Sequence, residues 1–390
     1  MLQAASLFNQ LLYHFPRGEF GALVQKHQAE RAAKGFTCWT QFVSMLFCQL
    51  AHADSLREIC NGLACSVGKL VHLGVLVAPN KSTLSYANEH RPAALFEDLF
   101  YTVLGRFRDQ EGLGGRKAKF RFKNKLMSLD STTISLCLDL FPWAKFRRAK
   151  GGVKAHVLLD HDDYLPAYVL ITEARKSDVR VAQSLDLNAG SIVAMDRGYN
   201  DYALFGKWTN RGVFFVTRLK ENAAYDVVES AAGPLPRHIL AEEQIRFSGP
   251  KATKACPHLL RRVVVWDEVN QRQIVLLTNL QFGPTTIAAI YKDRWEIELF
   301  FKALKQNLKV KSFVGTSRNA LLIQIWTALI AILLLKWLHH LSQAKWSLSN
   351  LASMLRLNLF TYRDLQRWLE NPFDTPPLVP PSQQLSLNLS

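Results

Sequence analysis

One carboxylate held among cations is the chemistry this chain offers most plainly. Tyr291, Arg294, Glu298 and Lys305 form a Y-x2-R-x3-E-x6-K string inside Thr285 to Lys309, a segment whose apolar residues recur with a helical period. At about 100° per residue, the four side chains fall within an arc of roughly 60°, flanked by Lys302 and Lys309. Ile290, Ile297, Phe300, Phe301, Leu304 and Leu308 gather on the adjoining face, which is expected to be buried. A rigidly held carboxylate in a row of cations suits a metal ligand working against a polyanion. The pairs Arg294 with Glu298 and Glu298 with Lys302 also fit an ordinary solvated, salt-bridged face. Glu296 lies well off the stripe and is set aside.

Two other carboxylates stand in telling positions. Asp130 ends the run Leu126-Met127-Ser128-Leu129 and precedes Ser131-Thr132-Thr133; Asp196 ends Ile192-Val193-Ala194-Met195 and precedes Arg197-Gly198-Tyr199. An aspartate at the end of a hydrophobic strand is poorly solvated unless something pairs with it. Either one alone also reads as a strand-end cap or turn former. On neighbouring strands, with Glu298 on a packed helix, the three are expected to converge on one point. Such a group repels itself and needs a cation, and short oxygen ligands suit Mg²⁺ or Mn²⁺. Two ions about 4 Å apart can activate a water or a 3′-hydroxyl and stabilise the leaving oxygen of a phosphodiester.

Charge supports a polyanionic partner. Lys and Arg number 48 against 32 Asp and Glu, a net +16 that favours nucleic acid over a membrane surface. The length of 390 residues exceeds one usual core, so two to four units are expected. Six cysteines (Cys38, Cys48, Cys60, Cys65, Cys137, Cys256) have apolar neighbours and no zinc spacing, and read as reduced core cysteines of a cytosolic protein. Met1 to Pro16 lacks the apolar core of a signal peptide. The apolar run between Arg318 and Lys336 contains Asn319, Gln324 and Thr327, and reads as a buried helix rather than a membrane span.

The elements that must position these residues change character along the chain. Residues 1–111 read as a helical N-terminal domain: Thr40 to His52 is an apolar helix, and Ser55-x2-Glu58 is a capping-box signal. Asn80 to Thr83 opens a polar helix carrying Ser85, Asn88, His90 and Arg91, the recognition element of a helix-turn-helix or one member of a plain bundle. After a linker at Gly112 to Gly115, Lys117, Lys119, Arg121, Lys123 and Lys125 alternate with Ala118, Phe120, Phe122 and Asn124. That alternation predicts a strand or extended arm with a cationic, phosphate-facing side, with a solvated, disordered basic linker as the other reading.

Strands follow at Leu126 to Asp130, Ile134 to Leu138, Lys154 to Leu159 and Tyr164 to Thr172, the last two joined by Asp160-His161-Asp162-Asp163 as a hairpin turn. Helices at Asp178 to Leu185 and Tyr202 to Thr209 alternate with strands at Ser191 to Asp196 and Val213 to Leu219, which predicts a mixed α/β sheet over 116–219. Residues 220–284 form a β-rich insertion, with strands at Arg261 to Trp266 and Gln273 to Thr278. The core resumes over 285–342; Ser347 to Leu357 and Thr361 to Glu370 are helices within 343–371, and 372–390 is a Pro-rich tail expected to be disordered.

With both aspartates beside it, the string resembles the signature of DDE transposases of bacterial insertion sequences, in the branch marked by Y-x2-R-x3-E-x6-K. Tyr291, Arg294, Glu298 and Lys305 match all four of its positions, and Leu129 to Thr132 and Met195 to Tyr199 match the contexts of its two aspartates. Lys154 to Asp160, Ser177 to Arg180 and Phe36 to Trp39 also resemble this branch. The resemblance implies a ribonuclease-H-like catalytic core interrupted by the β-rich insertion. It implies Asp130, Asp196 and Glu298 as ligands of two Mg²⁺ or Mn²⁺ ions, and Tyr291, Arg294 and Lys305, with Lys302, as contacts to transposon-end phosphates. It further implies a helical domain that binds terminal inverted repeats, a homodimer on double-stranded DNA, and action on target DNA at the bacterial nucleoid in the cytoplasm. Relatives of this branch cut through a hairpin at the element end, and some stabilise a flipped base on an aromatic residue of the insertion. Trp266 is the candidate here, with a core tryptophan as the other reading. A nuclease without strand transfer and an inactive DNA-binding relative remain the alternatives.

Overall fold

The computed structural model describes residues 5–31, 33, 35–66, 68–109, 113, 119–147 and 150–378. Lys117 and the end of the tail from residue 379 lie outside that set, as does most of the Gly112 to Gly115 linker. Two compact units divide the chain: residues 1–113 with 302–390, and residues 114–301.

The first unit opens with six helices: α1 (Leu7–Leu12), α2 (Arg17–Lys26), α3 (Cys38–Ala51), α4 (Leu56–Ala64), α5 (Lys81–His90) and α6 (Ala94–Asp109). Ser6, Thr37, Ser55 and Asn80 each accept a hydrogen bond from the backbone N–H three residues on, satisfying a donor the helix cannot. Glu58 closes the expected capping box one residue early, accepting from the Asp54 N–H at 2.8 Å. α3 is buried along its whole length from Cys38 to Leu50. α5 departs from the recognition-helix reading. Asn88 is buried and accepts from Gln41 Nε2 at 2.8 Å, and Arg91 donates to Gln41 and to the Phe36 carbonyl. Two of its four singled-out polar residues therefore hold the unit together.

The second unit is built on one sheet of ten strands. β1 (Leu126–Leu136) replaces the two strands expected there, because Ser131, Thr132 and Thr133 continue the pairing instead of ending it. β2 (Lys145–Arg147), β3 (Lys150–Asp160) and β4 (Pro166–Glu173) follow, with β3 antiparallel to β1 and to β4 across the 161–165 turn. Then come α7 (Asp178–Ser184), β5 (Ile192–Met195), α8 (Tyr202–Asn210) and β6 (Phe214–Arg218). β5 pairs parallel with both β1 and β6, so the sheet is mixed as expected.

The 220–284 block adds β7 (Tyr225–Ser230), β8 (Ile239–Phe247), α9 (Pro250–Ala255), β9 (Leu260–Asp267) and β10 (Arg272–Thr278). These strands extend the same sheet in the order β6-β10-β9-β8-β7. α10 (Pro284–Asp293) and α11 (Glu296–Asn307) come next, where one continuous helix was expected.

α12 (Arg318–Leu341), α13 (Leu348–Asn358) and α14 (Leu365–Glu370) belong to the first unit. α12 is long and apolar enough to cross a membrane, yet 89% of its most apolar window is buried, chiefly among α3, α5 and α6. α14 starts four residues later than expected, since Tyr362 instead bridges to Ser6. Part of the tail also departs from disorder: Leu378 N donates to the Tyr362 carbonyl at 2.6 Å, and Thr375 is buried. Of the six cysteines, four are buried, whereas Cys65 and Cys137 are exposed at the ends of their elements.

One close approach supports the strand that ends at Asp196. Phe205 and Trp208 of α8 pack beneath Val193 and Met195, and Gly206 lies against the backbone of Ala255 at the end of α9. A Cβ at Gly206 would overlap the Ala255 carbonyl oxygen. Gly→Ala inside a helix ordinarily gains up to about 1 kcal/mol, but forced overpacking costs about 1–3 kcal/mol. Gly206→Ala is therefore expected to lower stability in chemical denaturation, and an unchanged or raised midpoint would contradict this packing.

Candidate active site

Strand parity decides which side chains meet. Leu126 on β1 shares a core with Ile192, Ala194, Ile287 and Ile290, on the α10 side of the sheet. Met127 and Leu129 share the opposite core with Met195, Phe205 and Trp208. Side chains alternate along a strand, so Ser128 and Asp130 follow Leu126 to the α10 side, and Asp196 follows Ala194. The parallel register runs from Leu126 with Ile192 to Leu129 with Met195. One step further it sets Asp130 beside Asp196, on strands about 4.8 Å apart.

Glu298 reaches this pair through a cation. Arg294 Nη2 donates to Glu298 Oε1 at 2.8 Å, and Nη1 lies 3.7 Å from Asp130 Oδ2. Its side chain is only 9% exposed, with the guanidinium carbon 5.5 Å from the centre of the half-buried Tyr291 ring. Burial works against the guanidinium charge, but Tyr291, Glu298 and Asp130 outweigh it and raise the Arg294 pKa.

The expected single helix breaks at Arg294 and Trp295. Trp295, Ile297 and Glu298 donate to the carbonyls of Lys292, Arg294 and Trp295, each three residues back. This tightening is of 3₁₀ type, and it turns Arg294 in toward the carboxylates. The three acids do not share one point: the aspartates adjoin, and Glu298 is joined to Asp130 through Arg294. Among the described residues, no three Asp, Glu, His or Cys side chains are grouped to hold one ion.

The crowding shows in Asp130. Its pKa is pushed up to about 6, first by burial and then by the charges of Asp196 and Glu298. The Ser131 N–H, 2.7 Å from Oδ1, and Arg294 act in the opposite direction.

The basic arm keeps its alternation without becoming a strand. Lys119, Arg121, Lys123 and Lys125 are exposed, while Phe120, Phe122 and Asn124 are half-buried in a bent segment. Phe120 stacks on Phe122, and Phe122 on Phe282. Two of the cations turn to internal partners. Lys119 pairs with Asp293, and Lys125 bridges Asp160 at 2.6 Å and Asp162 at 2.5 Å. Arg121 and Lys123 have no ion-pair partner among the described residues. Trp266 is half-buried on β9, its backbone N–H donating to the His238 carbonyl at 2.8 Å. Lys302 and Lys305 follow on α11 within the first unit; Lys302 is exposed, and the Lys305 pKa is lowered by burial and then by Lys311.

Sequence reasoning missed several participants. Asp178 joins Ser131 Oγ at 2.8 Å and Lys154 Nζ at 2.9 Å on the far side of β1. Trp295 is 56% exposed at the helix break. The buried Asp293 was hidden by its neighbour Arg294, although a carboxylate inside the Y-x2-R string was a visible signal.

Asp130 midway along β1, beside Asp196 just past the end of the parallel strand β5, with Glu298 linked to Asp130 through Arg294, is an arrangement that suits the phosphodiester chemistry of α/β nucleases. Residues 121–334 match the transposase DDE domain, and residues 3–76 match a domain of unknown function (DUF4372). The chain is 31% identical to "Putative transposase y4zB" of Sinorhizobium fredii, across 79% of this chain and 84% of that protein. It is also 31% identical to "Probable transposase for insertion sequence element IS5377" of Geobacillus stearothermophilus, across 66% of this chain and 67% of that one. Identity to "Putative transposase for insertion sequence element IS4SA" of Synechocystis is 26%. The chain belongs to the DDE transposase family, whose catalytic domain is ribonuclease-H-like, and it is an enzyme of DNA strand cleavage and transfer.

Family membership brings a general dependence on divalent metal. The adjoining oxygen donors of Asp130 and Asp196 fit a hard divalent cation, and their mutual repulsion is what such a charge offsets.

The raised Asp130 pKa has a stability consequence. Between the ordinary 3.8 and about 6, the folded protein holds a proton that the unfolded chain has lost. Stability therefore falls as pH rises through that window. Asp130→Asn is expected to be more stable than the parent above pH 6 by on the order of 1–2 kcal/mol, with the advantage gone below about pH 4. Thermal melts across that range check it; a pH-independent difference would contradict the assigned crowding.

Proposed function

We propose that Asp130, Asp196 and Glu298 are the catalytic carboxylates of an insertion-sequence transposase. In this reading it binds the terminal inverted repeats of its own element, cuts them and joins the freed ends to target DNA. What supports the reading is the parallel β1–β5 register, which carries Asp130 toward Asp196, together with the Arg294 link from Asp130 to Glu298. The three would hold Mg²⁺ or Mn²⁺, as two ions, which when bound supply Lewis-acid activation of the attacking and leaving oxygens.

The chain's own residues bind and orient the DNA. Tyr291, Arg294, Lys305 and Lys302 contact the backbone of the element end, and the exposed Arg121 and Lys123 extend that contact along the arm. Arg294 neutralises Asp130 and Glu298, so the anionic strand approaches a site whose repulsion is partly cancelled. Lys119 and Lys125 keep their internal partners and act by holding the arm. The helical N-terminal domain reads the repeat sequence. With 10 cations against 9 acids in residues 1–113, it adds little phosphate attraction; residues 114–390 have 38 against 23. Synapsis of two ends calls for a homodimer on DNA, working at the nucleoid.

The test is cleavage and joining of the native element ends with Mg²⁺. Glu298→Gln is expected to retain end binding and to lose at least about 10³-fold in cleavage rate, the scale of removing a preorganised electrostatic contact. Undiminished cutting by that variant would overturn the assignment. Cutting by the parent without joined target products would favour a nuclease instead.

A further inference from the structure

Asp293 ends α10 directly before Arg294, and its side chain is 1% exposed. It accepts from His161 Nδ1 at 2.6 Å and from the Tyr164 hydroxyl at 3.1 Å, and it pairs with Lys119. His161, itself 4% exposed, sets its other ring nitrogen 2.6 Å from Ser128 Oγ. Ser128, His161 and Asp293 thus have the order and spacing of a hydrolase triad. Ser128 is fully buried, however, so no substrate reaches its hydroxyl. The string is scaffolding.

Its location is not explained by helix stability. A carboxylate at a helix C-terminus faces the negative end of the macrodipole, and burial strips its hydration. Three donors from two separate segments compensate it: Lys119 of the arm, and His161 and Tyr164 of the β3–β4 turn. Burial, the largest influence, pushes the Asp293 pKa up, but His161 and Lys119 hold it down at about 2.

Geometry indicates what this arrangement fixes. Successive helical residues point about 100° apart, so clamping Asp293 sets the direction in which Arg294 leaves the chain. Ser128 and Asp130 lie on the same face of β1, roughly 7 Å apart. Two rungs therefore run from one strand face to one helix junction. The buried rung is Ser128–His161–Asp293; the other is Asp130–Arg294–Glu298.

We infer that Asp293 is a positioning residue: clamped by His161, Tyr164 and Lys119, it holds the α10–α11 turn so that Arg294 reaches Asp130 and Glu298. This rests on the reading of Asp130, Asp196 and Glu298 as the cleavage site.

Single-turnover cleavage and end-binding assays on the full chain test it. Asp293→Asn is expected to cleave about 10- to 100-fold more slowly, the scale of a small misplacement, with end affinity changed less than about threefold. In an Arg294→Ala background the same substitution is expected to cost less than about twofold, because the two act as a unit. His161→Asn, which offers an amide N–H in place of Nδ1, recovers most of the rate that His161→Leu loses. Hydrogen exchange quickens in Asp293→Asn over 291–299, with the strands unchanged.

An undiminished effect of Asp293→Asn in the Arg294→Ala background overturns the proposal. So does a loss of rate and affinity that merely follows the folded fraction. Should Asp293→Asn fail to fold, Lys119→Gln at the rim of the hub carries the same test; unchanged rate and exchange in it also overturn the inference. Glu298→Gln separates the two readings. If it is inactive while Asp293→Asn cuts at the parent rate, positioning alone fails. If Glu298→Gln still cuts, the site reading fails and positioning falls with it.

Discussion

Two aspartates held side by side by parallel strand pairing are the constraint around which the catalytic unit is arranged. The β1–β5 register, paired up to Leu129 and Met195, brings Asp130 and Asp196 side by side at the centre of the sheet. Burial above all, and then the like charges of Asp196 and Glu298, resist ionisation of Asp130 and lift its pKa. Arg294 answers part of that charge from the helix above. Its reach requires the tightened turn between α10 and α11. The turn in turn depends on a second charge cluster, gathered around the buried Asp293. The site is thus a chain of electrostatic obligations, each met by a neighbour from a distant part of the sequence.

Much of this is legible in the sequence alone. Asp130 and Asp196 ended apolar runs, and Glu298 sat among cations at helical spacing. Those local signals depend only on periodicity, which sequence carries well. Non-local pairing was not legible. Lys119 and Lys125 looked like a phosphate-facing row because their counter-charges, Asp293 and Asp160, lie far off in the chain. Asn88 and Arg91 fitted a recognition helix and a plain bundle equally, because Gln41, their partner, is on another helix.

The helix break was hidden for a different reason. Neither glycine nor proline marks Arg294 and Trp295. A short 3₁₀ turn shifts the phase of a helix without interrupting its apolar pattern, so the wheel still looked continuous. The serine-threonine stretch after Asp130 misled in the opposite sense: polar residues suggested an end, but β-branched Thr132 and Thr133 suit a strand and β1 runs through them. Asp160 to Asp163 predicts a hairpin turn, and the turn falls at 161–165, where His161 serves the Asp293 cluster as well. A residue can satisfy local and tertiary demands together, and sequence displays only the local one.

The most direct measurement of the central claim is anomalous scattering from Mn²⁺ in crystals of the protein bound to its element end. Peaks are expected within bonding distance of the Asp130 and Asp196 carboxylates, with Glu298 completing the coordination. Peaks placed elsewhere, such as at Asp178 or Asp293, with none in reach of Asp130 and Asp196, would contradict the site.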